Sequence, residues 1–266
     1  MMRALWTAAS GMQAQQMNVD VIANNLANVN TTAFKKDRIE FKDLLYETMR
    51  RGYVMEDGGR PVNLQVGHGT TAVATLKDFA TGNPEETGNP LDFFIDGDAF
   101  FMVQGPTGEV NYTRDGSFKL SITEMGNMLT TSEGYAVLDE MEAPIYIDVD
   151  LSRLMVSQNG ELSYLDEDGI SVPTGQIIGL SYFENRAGLE SIGRNLYQET
   201  QASGFPIMAM DSEQVSLINQ NFIESSNVKT VEEMVKLIIA QRAYELNSKA
   251  IQTSDDMLNI ANNLKR

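Results

Sequence analysis

The sequence contains no cysteine. Disulfides, thiolate metal sites and cysteine nucleophiles are therefore excluded, and the chain carries no mark of a redox compartment. Histidine occurs once, as His68 in VGHGT. Histidine-based catalysis or metal binding would rest on that residue alone, and a histidine between two glycines reads as a turn. No phosphate-cradling loop of the GxxxxGK or GxGxxG kind occurs. No apolar run approaches the ~20 residues of a membrane span, so direct membrane insertion is not expected. The opening MMRALWTAASGMQAQQ has a brief apolar patch broken by Ser10, Gly11 and Gln13, with no small-residue cleavage site after it. Any export is expected to proceed without a cleaved signal peptide.

Basic residues are also scarce. The chain of 266 residues has 20 Lys and Arg against 37 Asp and Glu, a formal net charge of -17. Such a chain repels nucleic acid and anionic lipid, so no nucleic-acid partner is expected. The acids crowd between Leu138 and Asp168, where the only base is Arg153. That segment reads first as a solvated surface. It is also where a second class of function, a secreted carboxylate-dependent glycosidase, would keep its acids; that reading needs a deep pocket with two facing carboxylates. LDEDGI and IDGDAF resemble pieces of calcium loops, but neither has the full alternating acids and distal glutamate, and Asp-Gly turns explain both. No metal or cofactor is expected.

The turn-making residues are missing from both ends. All seven prolines lie between Pro61 and Pro206; only Gly11 of the 21 glycines precedes Gly52, and none follows Gly204. The ends are thus free to form long helices, while the middle is punctuated by turns. Near the start, Leu5, Ala8, Met12, Gln15, Val19, Ile22, Leu26 and Val29 alternate three and four apart and share one narrow helical stripe. At the other end Ile239, Ala243, Leu246, Ala250, Thr253, Met257, Ile260 and Leu264 do the same, with Val231, Val235 and Ile238 widening the face. Thr230 and Glu233 fit a capping box that starts this helix. The pentapeptide IANNL occurs in both stripes, at 22–26 and 260–264. Its second asparagine, Asn25 or Asn263, falls beside the seam, where an amide can set register.

Between the helices, EVNYTRDGSFKLS and RLMVSQNGELSYL alternate around Asp115-Gly116 and Asn159-Gly160, the pattern of two-residue hairpins. DAFFMVQ, APIYIDVDL, GISVP and QIIGLSYFE are further strand candidates. The expected fold is α+β: long terminal helices packed together as a coiled-coil-like stalk, an extended stem, and a central antiparallel all-β domain. The expected division is 1–45 for the first helical part, 46–80 for the stem, 81–218 for the β-domain and 219–266 for the last helix. A narrow apolar stripe on a long helix needs a partner, and two paired stripes bury little, so further copies of the chain are expected to complete the burial.

Longer stretches carry a resemblance. ASGMQAQQMNVDVIANNLANVNTTAFKKDRIEFKDLLYE resembles the N-terminal signature of the bacterial flagellar rod and hook family. SSNVKTVEEMVKLIIAQRAYELNSKAIQTSDDMLNIANNL is similar to its C-terminal signature, and IDGDAFFMV, YTRDGSFKL and GLESIGRNLYQETQASG extend the match through the middle. The resemblance implies a non-enzymatic subunit, of rod or hook, that self-assembles into a helical tubular drive shaft transmitting torque in the flagellar basal body. It implies export through the flagellar type III apparatus, an inner tube of terminal helices, an outer β-domain and a stem that stiffens the tube. The implied neighbours are proximal rod proteins, the hook protein and, where present, ring bushings. The assembly interface expected on these grounds comprises Leu5, Met12, Val19, Ile22, Asn25, Leu26, Val29, Ile239, Leu246, Ala250, Met257, Ile260, Asn263 and Leu264. Many members carry glycine after the paired threonines, where this chain has Ala33; a positive φ there would strain an alanine.

Overall fold

The computed structural model describes residues 2–51, 63–105, 108–124, 126–166, 170–209 and 216–263. The fold is α+β, and the chain divides into two compact units. One comprises Met1–Ala27, Asp37–Lys77 and Lys229–Arg266; the other comprises Asn28–Lys36 and Asp78–Val228.

The first unit holds the two long helices, α1 (Met2–Ala27) and α2 (Thr230–Asn263), which pack against each other. Four strands accompany them: β1 (Asp37–Asp43), β2 (Tyr46–Arg50), β3 (Leu64–Gly67) and β4 (Thr70–Lys77). β1 pairs antiparallel with β4, and β2 with β3, with a register shift in each ladder. The described flanks of the segment read as a stem are therefore strands, while residues 52–62 of it lie outside the described residues. α1 also packs on β1 and β4.

Among its described residues the second unit is built of antiparallel strands. Its largest sheet runs in the order Glu190–Gly193, Leu196–Gln198, Val110–Thr113, Phe100–Gln104, Leu180–Tyr182, Ile207–Met208. Phe100–Gln104 explains why DAFFMVQ is apolar without alternation: the strand is buried on both faces. Phe101 and Val103 join a core with Phe93, Phe118, Leu129 and Ile178, while Phe100 and Met102 join a second with Phe79, Tyr112 and Phe183.

The hairpin at Asn159-Gly160 forms, with Leu154–Val156 against Glu161–Leu165 and Gly160 at φ 85°. The hairpin expected at Asp115-Gly116 does not. Val110–Thr113 pairs with Phe100–Gln104 and Leu196–Gln198, whereas Lys119–Thr123 pairs with Gly126–Thr130, so the chain changes sheets at this turn. The glycine serves close approach instead: a Cβ on Gly116 would stand 1.9 Å from the Phe93 carbonyl oxygen. Asp115 Oδ1 accepts the Ser117 N–H at 3.1 Å, closing a local turn. APIYIDVDL contributes Ile145 and Ile147 to the core through isolated bridges rather than a strand.

Candidate assembly interface

The first helical stripe faces inward, as its spacing suggested. Ile22 is buried, and Leu5, Met12, Val19 and Leu26 are half-buried; Val29, the last of the expected stripe, lies past the end of α1 in a turn of the second unit. Two small residues outside or within that stripe, Ala14 and Ala8, are buried too. Close approach is also visible at Gly11, where a Cβ would lie 3.0 Å from Asn247 Nδ2 of α2.

The second stripe is turned the other way. Ile239 is 63% exposed, Leu246 67%, Met257 55% and Ile260 60%; Ala250 and Asn263 are exposed as well. Leu264 lies outside the described residues. The row of α2 that is shielded runs one residue later: Glu233, Leu237, Ala240, Asn247, Ile251, Ser254 and Leu258. This row has the same three-and-four spacing, so it shares the period of the apolar row and differs only by ~100° in phase. The helix thus shields a mixed row, its fully buried members being Glu233, Ala240 and Ser254 with Leu237, Ile251 and Leu258 half-buried beside them, and it leaves a second large apolar row on display. Val231, Met234, Val235 and Ile238 continue the display over the first turns of α2, each at least 49% exposed.

Asn25 does bind, though to a different partner from its seam-side neighbours. It is buried, its Nδ2 donates to the Asp37 carbonyl at 2.9 Å, and its Oδ1 accepts the Asp37 N–H at 2.8 Å. One amide thereby satisfies both backbone groups of Asp37 and fixes the end of α1 to the start of β1. Nδ2 also reaches Glu233 Oε2 of α2 at 3.4 Å. Glu233 therefore does not close a capping box; its carboxylate turns to Asn25 and to Lys236 Nζ at 2.6 Å. Across the same corner Lys77 Nζ donates to Asp37 Oδ1 at 3.0 Å. The two IANNL copies are consequently unlike: Asn25 is locked in, Asn263 is exposed.

The second unit contains a charge cluster that sequence reading missed. Lys35, Glu224 and Arg114 are each at most 3% exposed. Glu224 Oε1 accepts from Lys35 Nζ at 2.5 Å and from the Gly82 N–H at 2.7 Å; Oε2 accepts from Arg114 Nε at 3.2 Å. Lys35 Nζ also donates to the Ala80 carbonyl, and Arg114 Nη1 to the carbonyls of Gly97 and Ala99. Burial, with a smaller push from the Arg114 charge, lowers the Lys35 pKa to about 8 although Glu224 opposes the shift. Nearby, Ala33 has φ 53°, is buried, and donates its N–H to the Glu224 carbonyl at 2.7 Å. The position does require the left-handed region, so alanine is strained where glycine would be free.

A cleft of about 580 Å³ opens between Tyr146, Asp148, Tyr164, Pro173, Thr174 and Gln176. Among the described residues Asp148 is the one carboxylate in its lining, so no facing pair of acids of the kind glycoside hydrolysis needs is seen among them. Asp98 of IDGDAF pairs with Arg186, and LDEDGI falls partly outside the described residues.

Three stretches of the chain match known families. Residues 5–35 match the family described as flagella basal body rod protein. Residues 94–164 match the flagellar hook protein FlgE/F/G D1 domain, and 219–264 the flagellar basal body rod FlgEFG protein C-terminal family. The flagellar basal-body rod protein FlgG of Borreliella burgdorferi is 50% identical over 100% of both chains. That of Caulobacter vibrioides is 43% identical over 99% of this chain and 100% of its own. That of Bacillus subtilis is 37% identical over the whole of both. On these matches the chain belongs to the FlgG family of flagellar basal-body rod proteins.

Proposed function

We propose that this structural subunit of the flagellar rod builds the distal rod, polymerising into a helical tube that carries torque from motor to hook. The supporting observation is the phase of α2. An isolated helix of a finished globular protein hides its large apolar side chains. This one shields Ala240 and Ser254 together with Leu237, Ile251 and Leu258, and still presents Ile239, Leu246, Met257 and Ile260. Other copies of the chain are the partners that make this arrangement favourable, since burying apolar area releases roughly 25 cal/mol per Å². In this reading α1 and α2 form a coiled-coil-like stalk within the inner tube, with Leu5, Met12, Val19, Ile22 and Leu26 closing it within the chain. Ile239, Leu246, Ala250, Met257, Ile260 and Asn263 face neighbouring copies.

The remaining assignments follow from family membership. The stem at 46–80 stiffens the tube, the β-domain forms its outer surface, and the subunit is non-enzymatic. Its neighbours are proximal rod proteins, the hook protein and ring bushings where present. It reaches the rod, across the cell envelope, through the type III export apparatus without signal cleavage. None of the helices of the described residues is long and apolar enough to cross a membrane.

Leu246→Asp tests the reading. It should leave the purified chain folded, with unchanged circular dichroism and melting temperature, because residue 246 is exposed in the monomer. It should nevertheless abolish rod formation in cells. Normal rods in this variant would overturn the assignment of the α2 row.

A further inference from the structure

The apolar row of α2 needs a receptor, and the same unit offers one on a different face. A groove of about 370 Å³ runs between α1 and the β1–β4 pair, lined by Met17, Asp20, Val21, Ile39 and residues Ala72 to Thr75. Met17 is 40% exposed and Val73 51%, so the groove displays apolar surface. Among the described residues Asp20 is the single charged one in the lining. On α2, Val231, Met234, Val235, Ile238 and Ile239 form the densest run of exposed apolar side chains on that helix. Arg242 follows three residues after Ile239 and four after Ile238, so it extends the same face by one turn. Arg242 is itself exposed, and its pairing with Glu245 is between two solvated groups, so it is easily exchanged.

We propose that the 231–239 patch of one copy docks into the α1/β1–β4 groove of a second copy, with Arg242 of the first meeting Asp20 of the second. This rests on the reading of α2 as an assembly surface and names the surface it meets. The apolar character of patch and groove matches, and the one acid of the groove meets the one cation at the end of the patch. Docking two different surfaces of the same unit is a head-to-tail contact. It leaves a free groove on one copy and a free patch on the other, so addition continues and an open helical array results. Docking patch to patch would instead close at a dimer.

The absence of native cysteine makes the test clean. Asp20→Cys and Arg242→Cys variants of the full chain are co-expressed, rods are isolated, and oxidation is followed on non-reducing gels. The expected product is a mixed disulfide between the two variants, extending to a ladder when both substitutions sit in one chain. Disulfides only between two Arg242→Cys chains would overturn the proposal in favour of patch-to-patch pairing; no disulfide in assembled rods would overturn it too. A charge exchange serves where the cysteine variants fail to assemble. Asp20→Arg and Arg242→Asp should each lower the yield of rods at least tenfold, and the combination should restore it; failure of the combination to rescue would count against the contact. Leu246→Asp separates the two levels. Rods lost in Leu246→Asp with no mixed disulfide elsewhere would defeat this contact alone, whereas normal rods in Leu246→Asp would defeat the underlying reading.

Discussion

Lys35 shows how far a single residue's environment can depart from what its neighbours in sequence suggest. In TTAFKKD it reads as one of two solvated lysines. In the fold its ammonium is enclosed with Glu224 and Arg114 while Lys36 stays at the surface, 3.3 Å from Asp78. Two cations share one carboxylate, so the cluster carries an excess positive charge that backbone carbonyls and the Asp78 charge offset in part. Releasing the Lys35 proton neutralises that excess. In the unfolded chain the proton stays until about pH 10.5, whereas in the folded chain it leaves at about pH 8. Between those values the unfolded state binds more protons, so the contribution of this group to stability rises with pH. We expect the stability advantage of the wild type over Lys35→Met to grow across that window by up to ~1.4 kcal/mol per pH unit, and to be flat below it. Denaturant titrations of both proteins from neutral to alkaline pH check this. A difference that shrinks with pH would mean that the charged form is the favoured one.

At the scale of elements, α2 carries two rows one residue apart, and the division of labour between them has separable consequences. Ala240 is 1% exposed, so Ala240→Leu must overpack the contact between α1 and α2 at a cost of about 1–3 kcal/mol. Ile239→Ala, one position earlier, should change the stability of the dilute monomer by less than about 0.5 kcal/mol. Thermal melts of the two variants should therefore differ clearly, with the larger loss at 240. Both helices were legible in the sequence, because glycine and proline are nearly absent from the ends and the three-and-four spacing is sustained. The phase of α1 was legible too. The phase of α2 was not, since two rows one residue apart both carry large aliphatic side chains, and the row that turns inward mixes Leu237, Ile251 and Leu258 with Ala240, Asn247 and Ser254. The Asp115-Gly116 hairpin failed for a related reason. A two-residue turn signal describes a bend in the chain, and the sheet that receives the outgoing strand is decided by packing elsewhere. The charge cluster was illegible because its members are separated by 79 to 189 positions.

For the molecule as a whole, charge follows the division into units. The unit holding the helices has 13 basic and 12 acidic residues, whereas the other has 7 and 25. The β-rich unit thus carries -18 and the helical unit +1, which together make the net charge of -17. Bringing copies together concentrates that negative charge but adds almost none from the helices. Assembly should accordingly tighten as salt rises from about 0.1 M to about 1 M, over which the screening length falls from ~10 to ~3 Å. Sedimentation of the assembled fraction against salt concentration checks this, and a fall in that fraction would show that attraction between opposite charges dominates the contacts. The cluster of Lys35, Arg114 and Glu224 has a different kind of consequence, one of timing. Its two outer members stand 189 residues apart, near opposite ends of the chain. Translation delivers Lys35 and Arg114 before Glu224, so neither cation can be enclosed with its carboxylate until residue 224 has been made. A chain that stops short of Glu224 would have to bury those charges unpaired, at large cost, so this part of the core should close only late in synthesis.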